Sequence, residues 1–330
     1  MHEILDPWKN PVTYAVPFFF LCIAIELAAL KWLDHDDNLT GYLAKDARAS
    51  ILMGLGSLVS SVLVKIMMFV AYVGIWAYVA PWHVPMTWWG VLLSVLAVDF
   101  AYYWNHRFVH RARVGWAAHQ AHHSSEYMNF ATALRQKWNP WFEFVFFLPL
   151  PFVGISPMSL YVAFAINLIY QFFVHTETIR TLPRPIELIF NTPSHHRVHH
   201  GSDPIYLDKN YAGILIVWDR LFGTFQPELF QPRYGLTYQV GTYNLIKLQY
   251  GDYAALLRDV RGAACWRDRI GYLFRPPGWQ PGAQLDGVPA GAGSGPGRPA
   301  GGLGDVAGAW GTSRALGARA GRPRSGRGRR

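Results

Sequence analysis

The sequence predicts an all-α integral membrane protein: about four to five membrane-embedded helices, three spans plus a hairpin, with a cytoplasmic helical cap rich in histidine. Three observations carry this. Of 330 residues, 51% are hydrophobic and only 15% charged, whereas soluble domains are about a quarter charged. Long apolar runs recur at 11–33, 51–80, 86–104 and 142–174, and about twenty apolar residues span a bilayer. Nine of the thirteen histidines fall in two short stretches, 105–123 (N-H-R-F-V-H-R-A-R-V-G-W-A-A-H-Q-A-H-H) and 192–200 (T-P-S-H-H-R-V-H-H).

In chain order, residues 11–33 are the first expected span. It has no basic n-region before it and no cleavage site after it, so it reads as a retained helix. Glu26 lies inside it, and an intramembrane acid faces a protein interior. Residues 34–48 read as a polar loop. The run 51–80, interrupted by Lys65, is a second span, long and tilted. Pro81 and Pro85 bracket a turn, and 86–104 is a third span that ends one turn before His106. The run 142–174 is broken by P-L-P-F-V-G-I-S-P at 149–157, which predicts a hairpin whose return limb delivers His175 and Glu177. The stretch 211–225 (Y-A-G-I-L-I-V-W-D-R-L-F-G-T-F) is too short and too charged at its end to span, so it is expected to lie at the membrane interface. Residues 226–281 read as polar and partly helical.

Residues 1–281 thus form one membrane-embedded catalytic domain with its histidine-rich core at 99–225. From 282 to 330 the chain is rich in Gly, Pro, Ala and Arg and is expected to be disordered. That tail holds eight Arg and two Asp, so it supplies +6 of the net +9. The remainder lacks the basic and aromatic interleaving that nucleic acid needs. Cys22 and Cys265 stand far apart and form no disulfide framework. Lys31, Lys45, Arg48, Arg107, Arg111, Arg113, Arg135 and Lys137 cluster on alternate connections, while the turns at 81–85 and 149–157 have no Lys or Arg. The positive-inside rule puts the basic connections, and with them both histidine stretches, on the cytoplasmic side. A bacterial inner membrane or an endoplasmic-reticulum-like membrane satisfies this. Trp82, Trp88, Trp89, Trp104, Trp116, Trp138 and Trp141 lie near span ends, as an interfacial belt requires.

His106 and His110 are four apart; His119, His122 and His123, and again His196, His199 and His200, are spaced three and one. On a helix, i, i+3 and i+4 share a face, so each run is expected to aim its imidazoles at one point. So many imidazoles would repel if protonated, whereas a metal binds the neutral form. They exceed one ion's coordination, since zinc takes four ligands. Two ions are expected, about 3–7 Å apart and bound by both runs. Imidazole suits Zn, Fe, Cu and Ni alike. A hydrocarbon in the bilayer offers nothing for hydrolytic zinc to attack, which favours iron and dioxygen; zinc remains a substitute a structure could hold.

The motifs H-R-F-V-H, W-A-A-H-Q-A-H-H-S-S-E, L-R-Q and N-T-P-S-H-H-R-V-H-H-G resemble the fatty acid hydroxylase/sterol desaturase superfamily. Within it, W-A-A-H-Q-A-H-H-S-S-E, H-T-E at 175–177 and D-K-N-Y-A-G-I-L-I-V-W-D-R-L-F-G-T-F at 208–225 are similar to the alkylglycerol monooxygenase branch and its bacterial relatives. The resemblance covers residues 90–230 well and the flanks loosely. It implies a di-iron, O2-dependent membrane oxidoreductase hydroxylating a lipid C–H bond of fatty acyl, alkylglycerol or sterol-like type. It implies His106, His110, His119, His122, His123, His196, His199 and His200 as ligands, with His175 a ninth. It also implies an external electron donor, either a cytoplasmic redox partner (reductase, ferredoxin or cytochrome-type) or a reduced pterin. Arg111 departs from the pattern: the animal enzymes have an acidic residue there, linked to pterin use.

Around the ligands, Asp99 lies seven residues before His106 and is a candidate to hold a ligand's far nitrogen; Glu126, Glu177 and His195 are further candidates for that shell. Thr192 and Pro193 read as a helix cap and first-turn residue. A desaturase would use the same centre, and a non-catalytic metal-binding or transport protein is a third class, though only Glu26, Lys65 and Asp99 sit within spans to form a path. The lipid is expected to enter from the bilayer between the third span and the 142–174 hairpin, its head group near Arg107, Arg135 or Lys137.

Overall fold

The structure, a computed structural model, describes residues 11–32 and 39–282. The expected tail, Gly282 aside, lies outside these residues, as do residues 34–38 of the expected 34–48 loop. In chain order the helices are α1 (Pro11–Trp32), α2 (Ala44–Ser60), α3 (Val62–Tyr78), α4 (Trp88–Arg111), α5 (Arg113–His123), α6 (Pro149–Phe152), α7 (Pro157–Val174), α8 (Arg184–Ile189), α9 (Pro193–His199), α10 (Val217–Leu221), α11 (Leu245–Gly262) and α12 (Trp266–Phe274), with 3-10 turns at Thr132–Leu134 and Glu143–Phe147. Among the described residues the only β contacts are isolated bridges, Phe190 with Leu215 and Gly201 with Tyr234. The all-α expectation is met.

α1 and α7 are each long and apolar enough to cross a membrane, which marks an integral membrane protein. α1 turns Phe18, Leu21 and Ile25 outward and Phe19, Ile23 and Glu26 inward. Glu26 accepts hydrogen bonds from the Phe130 amide (2.9 Å), Tyr42 and Thr176, so the acid faces protein as expected.

Among the described residues two helices, or three with the bent pair below counted as one, are long and apolar enough to cross, where four to five membrane-embedded helices are expected. The second is two helices: α2 and α3 pass the length-and-apolarity test only as a pair bent by 48°. The break falls at Ser61, whose hydroxyl donates to the Ser57 carbonyl, a bond that bends helices. α2 begins at Ala44 inside the expected loop. The third expected span is continuous helix, but α4 runs on to Arg111 and does not pass as a crossing helix; its last turns carry Asn105, His106, Arg107 and His110. The hairpin is one-limbed. Its outward limb is a 3-10 turn plus the single turn of α6, ten residues over Glu143–Phe152. At 1.5 Å per residue that is about 15 Å, half the hydrocarbon thickness. Pro149 and Pro151 interrupt the backbone bonding that a longer helix needs. The return limb α7 forms as expected, capped by Ser156 accepting from the Ser159 amide (3.0 Å).

The two turns without basic residues meet. Gly154, at φ 85°, accepts through its carbonyl from the Val84 amide (2.9 Å) and the Trp76 indole (3.1 Å). α4 and α7 pack along their lengths through Val98, Ala101, Leu160 and Ala163. Their opposite ends carry histidines. In the expected interfacial stretch 211–225, Val217–Leu221 is helical.

Candidate metal centre

Three helix ends and one short helix bring the histidines together. His106 and His110 lie one turn apart on the last turns of α4. The chain extends for one residue at Ala112 (φ −116°, ψ 127°) and turns back as α5, which carries His119, His122 and His123. The elbow is tight because position 115 is glycine: a Cβ there would stand 2.6 Å from the Val109 Cα. α7 ends at Val174 and His175 follows as its cap. α9 starts at Pro193 behind Thr192, as expected, and presents His196, His199 and His200.

These nine histidines form two sets. His106, His110, His119, His123 and His199 present ligand atoms all within 4.8 Å of one another; His122, His175, His196 and His200 do the same. The sets adjoin, with ring centroids 4.4 Å apart between His123 and His200 and 5.2 Å between His122 and His123. The expectation that each run converges on one point is corrected. His122 departs from His119 and His123, and His199 from His196 and His200. Positions three and four apart differ by about 100° around a helix, enough for one run to serve two centres that sit side by side.

Hydrogen bonding fixes which nitrogen is offered. The Nδ1 of His106 donates to the Tyr211 carbonyl (2.8 Å), that of His122 to Arg135 (3.2 Å), that of His175 to Gln171 (2.6 Å) and that of His199 to Lys209 (3.0 Å). A carbonyl only accepts, so each Nδ1 holds the proton and each Nε2 presents a lone pair. The Nε2 atoms of His122 and His175 then face each other at 3.4 Å with no proton between them. The buried Nε2 atoms of His110, His199 and His200 have no hydrogen-bond partner. Converging lone pairs, unpartnered and dry, suit a cation in each set. Burial holds His119, His122, His123, His196 and His200 well below the ordinary imidazole range, and pushes His175 and His199 down to about 4. All are therefore neutral at pH 7, the ligating form.

The carbonyls are themselves held. Asp219 accepts from the amides of Tyr211 (2.8 Å) and Ala212 (2.8 Å) and from Thr224 Oγ1 (2.6 Å). Asp99 accepts from the amides of Ile214 (2.7 Å) and Leu215 (3.0 Å), the Trp218 indole (2.9 Å) and Asn167 (3.0 Å). Two buried carboxylates thus grip four amides of 211–215 and aim the Tyr211 carbonyl at His106. Gly213 is required between them, since a Cβ would meet Asp99 Oδ1 at 2.8 Å. Arg135 is buried against Asp46 (2.6 Å), with Ser50 and Ser124 completing its bonds, and so places the carbonyl that holds His122. Arg197 forks onto Glu228 (2.7 Å twice) and donates to the Thr176 carbonyl (3.1 Å), tying α9 to the segment after His175.

The expected supporting residues are therefore corrected. Asp99 touches no histidine; it acts one step removed, through the 211–215 backbone. Glu177 accepts from Thr40 (2.8 and 2.7 Å) and Gln231 (3.1 Å). His195 faces Glu187 (3.0 Å) and completes the cap with Thr192. Glu126 is exposed. Asp219, Arg135, Asp46 and Arg197 were not singled out for this role. A charge in the sequence shows neither its burial nor its partner, and each of these finds both only in the fold. Arg135 is not available to a head group, and Lys137 pairs with Glu143.

A cleft of about 330 Å³, its open mouth included, reaches His110, His123, His199 and His200. Trp116 of α5 and Leu207, Asp208, Leu236 and Thr237 from loops line it, a mixture of apolar and polar groups, not the expected α4 and 142–174 surface. Arg111 stands exposed beside it, paired with Asp208 at 3.0 Å.

Residues 91–224 match the model of the family described as fatty acid hydroxylase. The chain is 41% identical over 279 residues to the alkylglycerol monooxygenase of Danio rerio, covering 82% of this chain and 60% of that protein. It is 40% identical over 288 residues to that of Homo sapiens, covering 85% and 62%. An ornithine lipid hydroxylase of Rhizobium tropici is 30% identical over 145 residues, 41% of each chain. The chain thus spans about three fifths of the length of the alkylglycerol monooxygenases it matches. No solved structure matches it.

Proposed function

Since the chain belongs to the fatty acid hydroxylase family, we propose that it is an O2-dependent membrane monooxygenase that hydroxylates a C–H bond of a lipid, with an alkylglycerol as substrate class. The observation that carries this is the pair of adjoining, buried histidine sets at the ends of α4, α5, α7 and α9. We assign His106, His110, His119, His123 and His199 to one iron ion and His122, His175, His196 and His200 to the other. Two irons so held supply activation of dioxygen for attack on an unactivated C–H bond.

The chain's own residues do the rest. Burial keeps the imidazoles neutral, and the carbonyls of Tyr211, Arg135, Gln171 and Lys209 hold four of them with Nε2 facing inward. Rigid ligand placement of this kind depends on such outer partners. Outside the cleft that reaches four of the histidines the sets are buried, and that burial limits bulk water, which protects a strong oxidant from side reactions. α1, α7 and the bent α2–α3 pair hold the domain in the bilayer, which keeps the centre close to a lipid substrate. The positive-inside distribution supports a cytoplasmic location for the centre, where a reductant delivers electrons. Hydroxylation at the carbon that bears an ether oxygen gives a hemiacetal, which falls apart to an aldehyde and the freed glycerol.

Lipid mass spectrometry of cells with and without the protein, grown under 18O2, tests this. One labelled oxygen in an oxidised lipid or its aldehyde is expected. Loss of two hydrogens without label would make the enzyme a desaturase. Unchanged lipids, with purified protein holding zinc and consuming no oxygen, would end the oxygenase reading.

A further inference from the structure

We propose that α12 is a membrane-interface helix that rests its outer face on the lipid head-group region and draws on anionic lipids. The helix (W-R-D-R-I-G-Y-L-F) lies beyond the segment that matches the family, which ends at 224. It carries three large apolar side chains on one line: Trp266, Ile270 and Phe274, exposed by 72%, 49% and 57%. Spacing of four residues puts them within about 80° of arc at 100° per residue. Arg267 and Arg269, both exposed, lie about 60° and 100° to either side of the stripe's midline. Arg258, Arg261 and Arg275 are exposed nearby. The acids of the same region turn inward or are paired: Asp259 bonds Arg113 at 2.6 Å, and Asp268 is half-buried on the opposite side of α12. An apolar stripe flanked by arginine is the pattern of a helix lying in the plane of the interface.

The inner face is fixed, so the outer one is held in place. Tyr272 and Leu273 pack against the buried cluster of Ala112, Val114, Ala117 and Leu256. Gly271 admits the Trp279 ring, which a Cβ would meet at 2.4 Å. The Arg113 amide donates to the Arg275 carbonyl (3.1 Å). Elsewhere on the protein other large apolar side chains are also turned outward. Phe108 meets Phe146 with ring centroids 5.2 Å apart and planes tilted by 47°, and Trp141, Phe142 and Val145 are exposed. An anionic lipid surface matches this face: an exposed apolar line to enter the interface and exposed arginines beside it to meet the head groups.

The test uses the full chain in nanodiscs of phosphatidylcholine with and without phosphatidylglycerol. Cys22 and Cys265 are replaced by serine, and a nitroxide is attached at Ile270→Cys or, as a second site, at Phe274→Cys. Power-saturation spectroscopy then compares collision with oxygen, which concentrates in lipid, against a water-soluble nickel chelate. Oxygen accessibility several-fold above that of nickel at either site is expected. In discs with phosphatidylglycerol, R267Q/R269Q should lower that ratio. A ratio favouring nickel at both sites would overturn the proposal, because the face would be bathed in water. Exclusion of both probes would overturn it too, because protein or a second copy would cover the face. An unchanged ratio in R267Q/R269Q would remove the arginines' part.

Discussion

Replacing Asp219 by Asn should uncouple one metal from the other while leaving the fold almost as stable. Asp219 is fully buried, and its carboxylate serves three donors: the amides of Tyr211 and Ala212 and the Thr224 hydroxyl. Asparagine keeps one acceptor oxygen and puts an N–H2 donor where the other stood. Either orientation leaves at least one buried amide without a partner, a cost of about 1–3 kcal/mol. A second effect opposes it. Burial pushes Asp219 from 3.8 up to about 6, so at neutral pH its ionised form carries a penalty of about 3 kcal/mol relative to the unfolded chain, at 1.36 kcal/mol per unit. The neutral amide escapes that penalty. The two nearly cancel, and global stability should change by no more than about 2 kcal/mol. The local effect does not cancel. The Tyr211 carbonyl loses its anchor, and with it His106 loses the acceptor at 2.8 Å that fixes its proton on Nδ1. Loss of such an outer partner lowers metal affinity by about 10–100-fold. Metal content of the purified protein, titrated against a chelator, should therefore show one ion retained with wild-type affinity and the other weakened, with the melting temperature little changed. A folded D219N protein holding both ions as tightly as wild type would refute the chain of reasoning from Asp219 through Tyr211 to His106. Equal weakening of both ions would refute the assignment to two separate sets.

Three further outcomes are expected. Alanine at His119, His123, His196 or His200 should abolish turnover while the protein still fractionates with the membrane, since the apolar helices carry insertion; activity retained in two of the four variants would undo the ligand assignment. Asp46→Ala should destabilise the protein by about 3–5 kcal/mol, because it strands the buried Arg135 charge, and thermal melts in detergent would read this directly. The metal-free protein should lose stability as pH falls from 6.5 toward 4. His175 and His199 are depressed to about 4 when folded, so the unfolded chain takes up protons first, and each costs about 3 kcal/mol across that window. Asp219 runs the other way, gaining stability as pH falls from about 6 toward 3.8, but it is one group against two. Denaturation curves at pH 7 and pH 5 would measure the balance.

Much of this protein is decided locally and can be read along the chain. The run at 14–32 is apolar enough to be a helix in lipid whatever surrounds it. Ser156-Pro157 and Thr192-Pro193 start helices because a capping oxygen and a fixed φ act within one turn. The histidine spacings fix which imidazoles can share a face. What these signals leave open is every choice that depends on a neighbour distant in sequence. Residues at 119 and 122 lie on one helix face, yet they belong to different sets, because the fold brings His199 to the first and His175 to the second. Asp99 is separated by more than a hundred residues from the backbone amides it holds, and its distance of seven from His106 suggested a contact that does not form. The interface stretch at 211–225 has the composition of an amphipathic helix, but Asp99 and Asp219 draw its amides into side-chain bonds, and a backbone so engaged cannot also form helix. The second span was legible as apolar length but not as two pieces, because its bend lies at a serine hydroxyl bonded four residues back. Composition and period determine which segments bury themselves; which partner satisfies each buried polar group is settled only when the chain has closed upon itself.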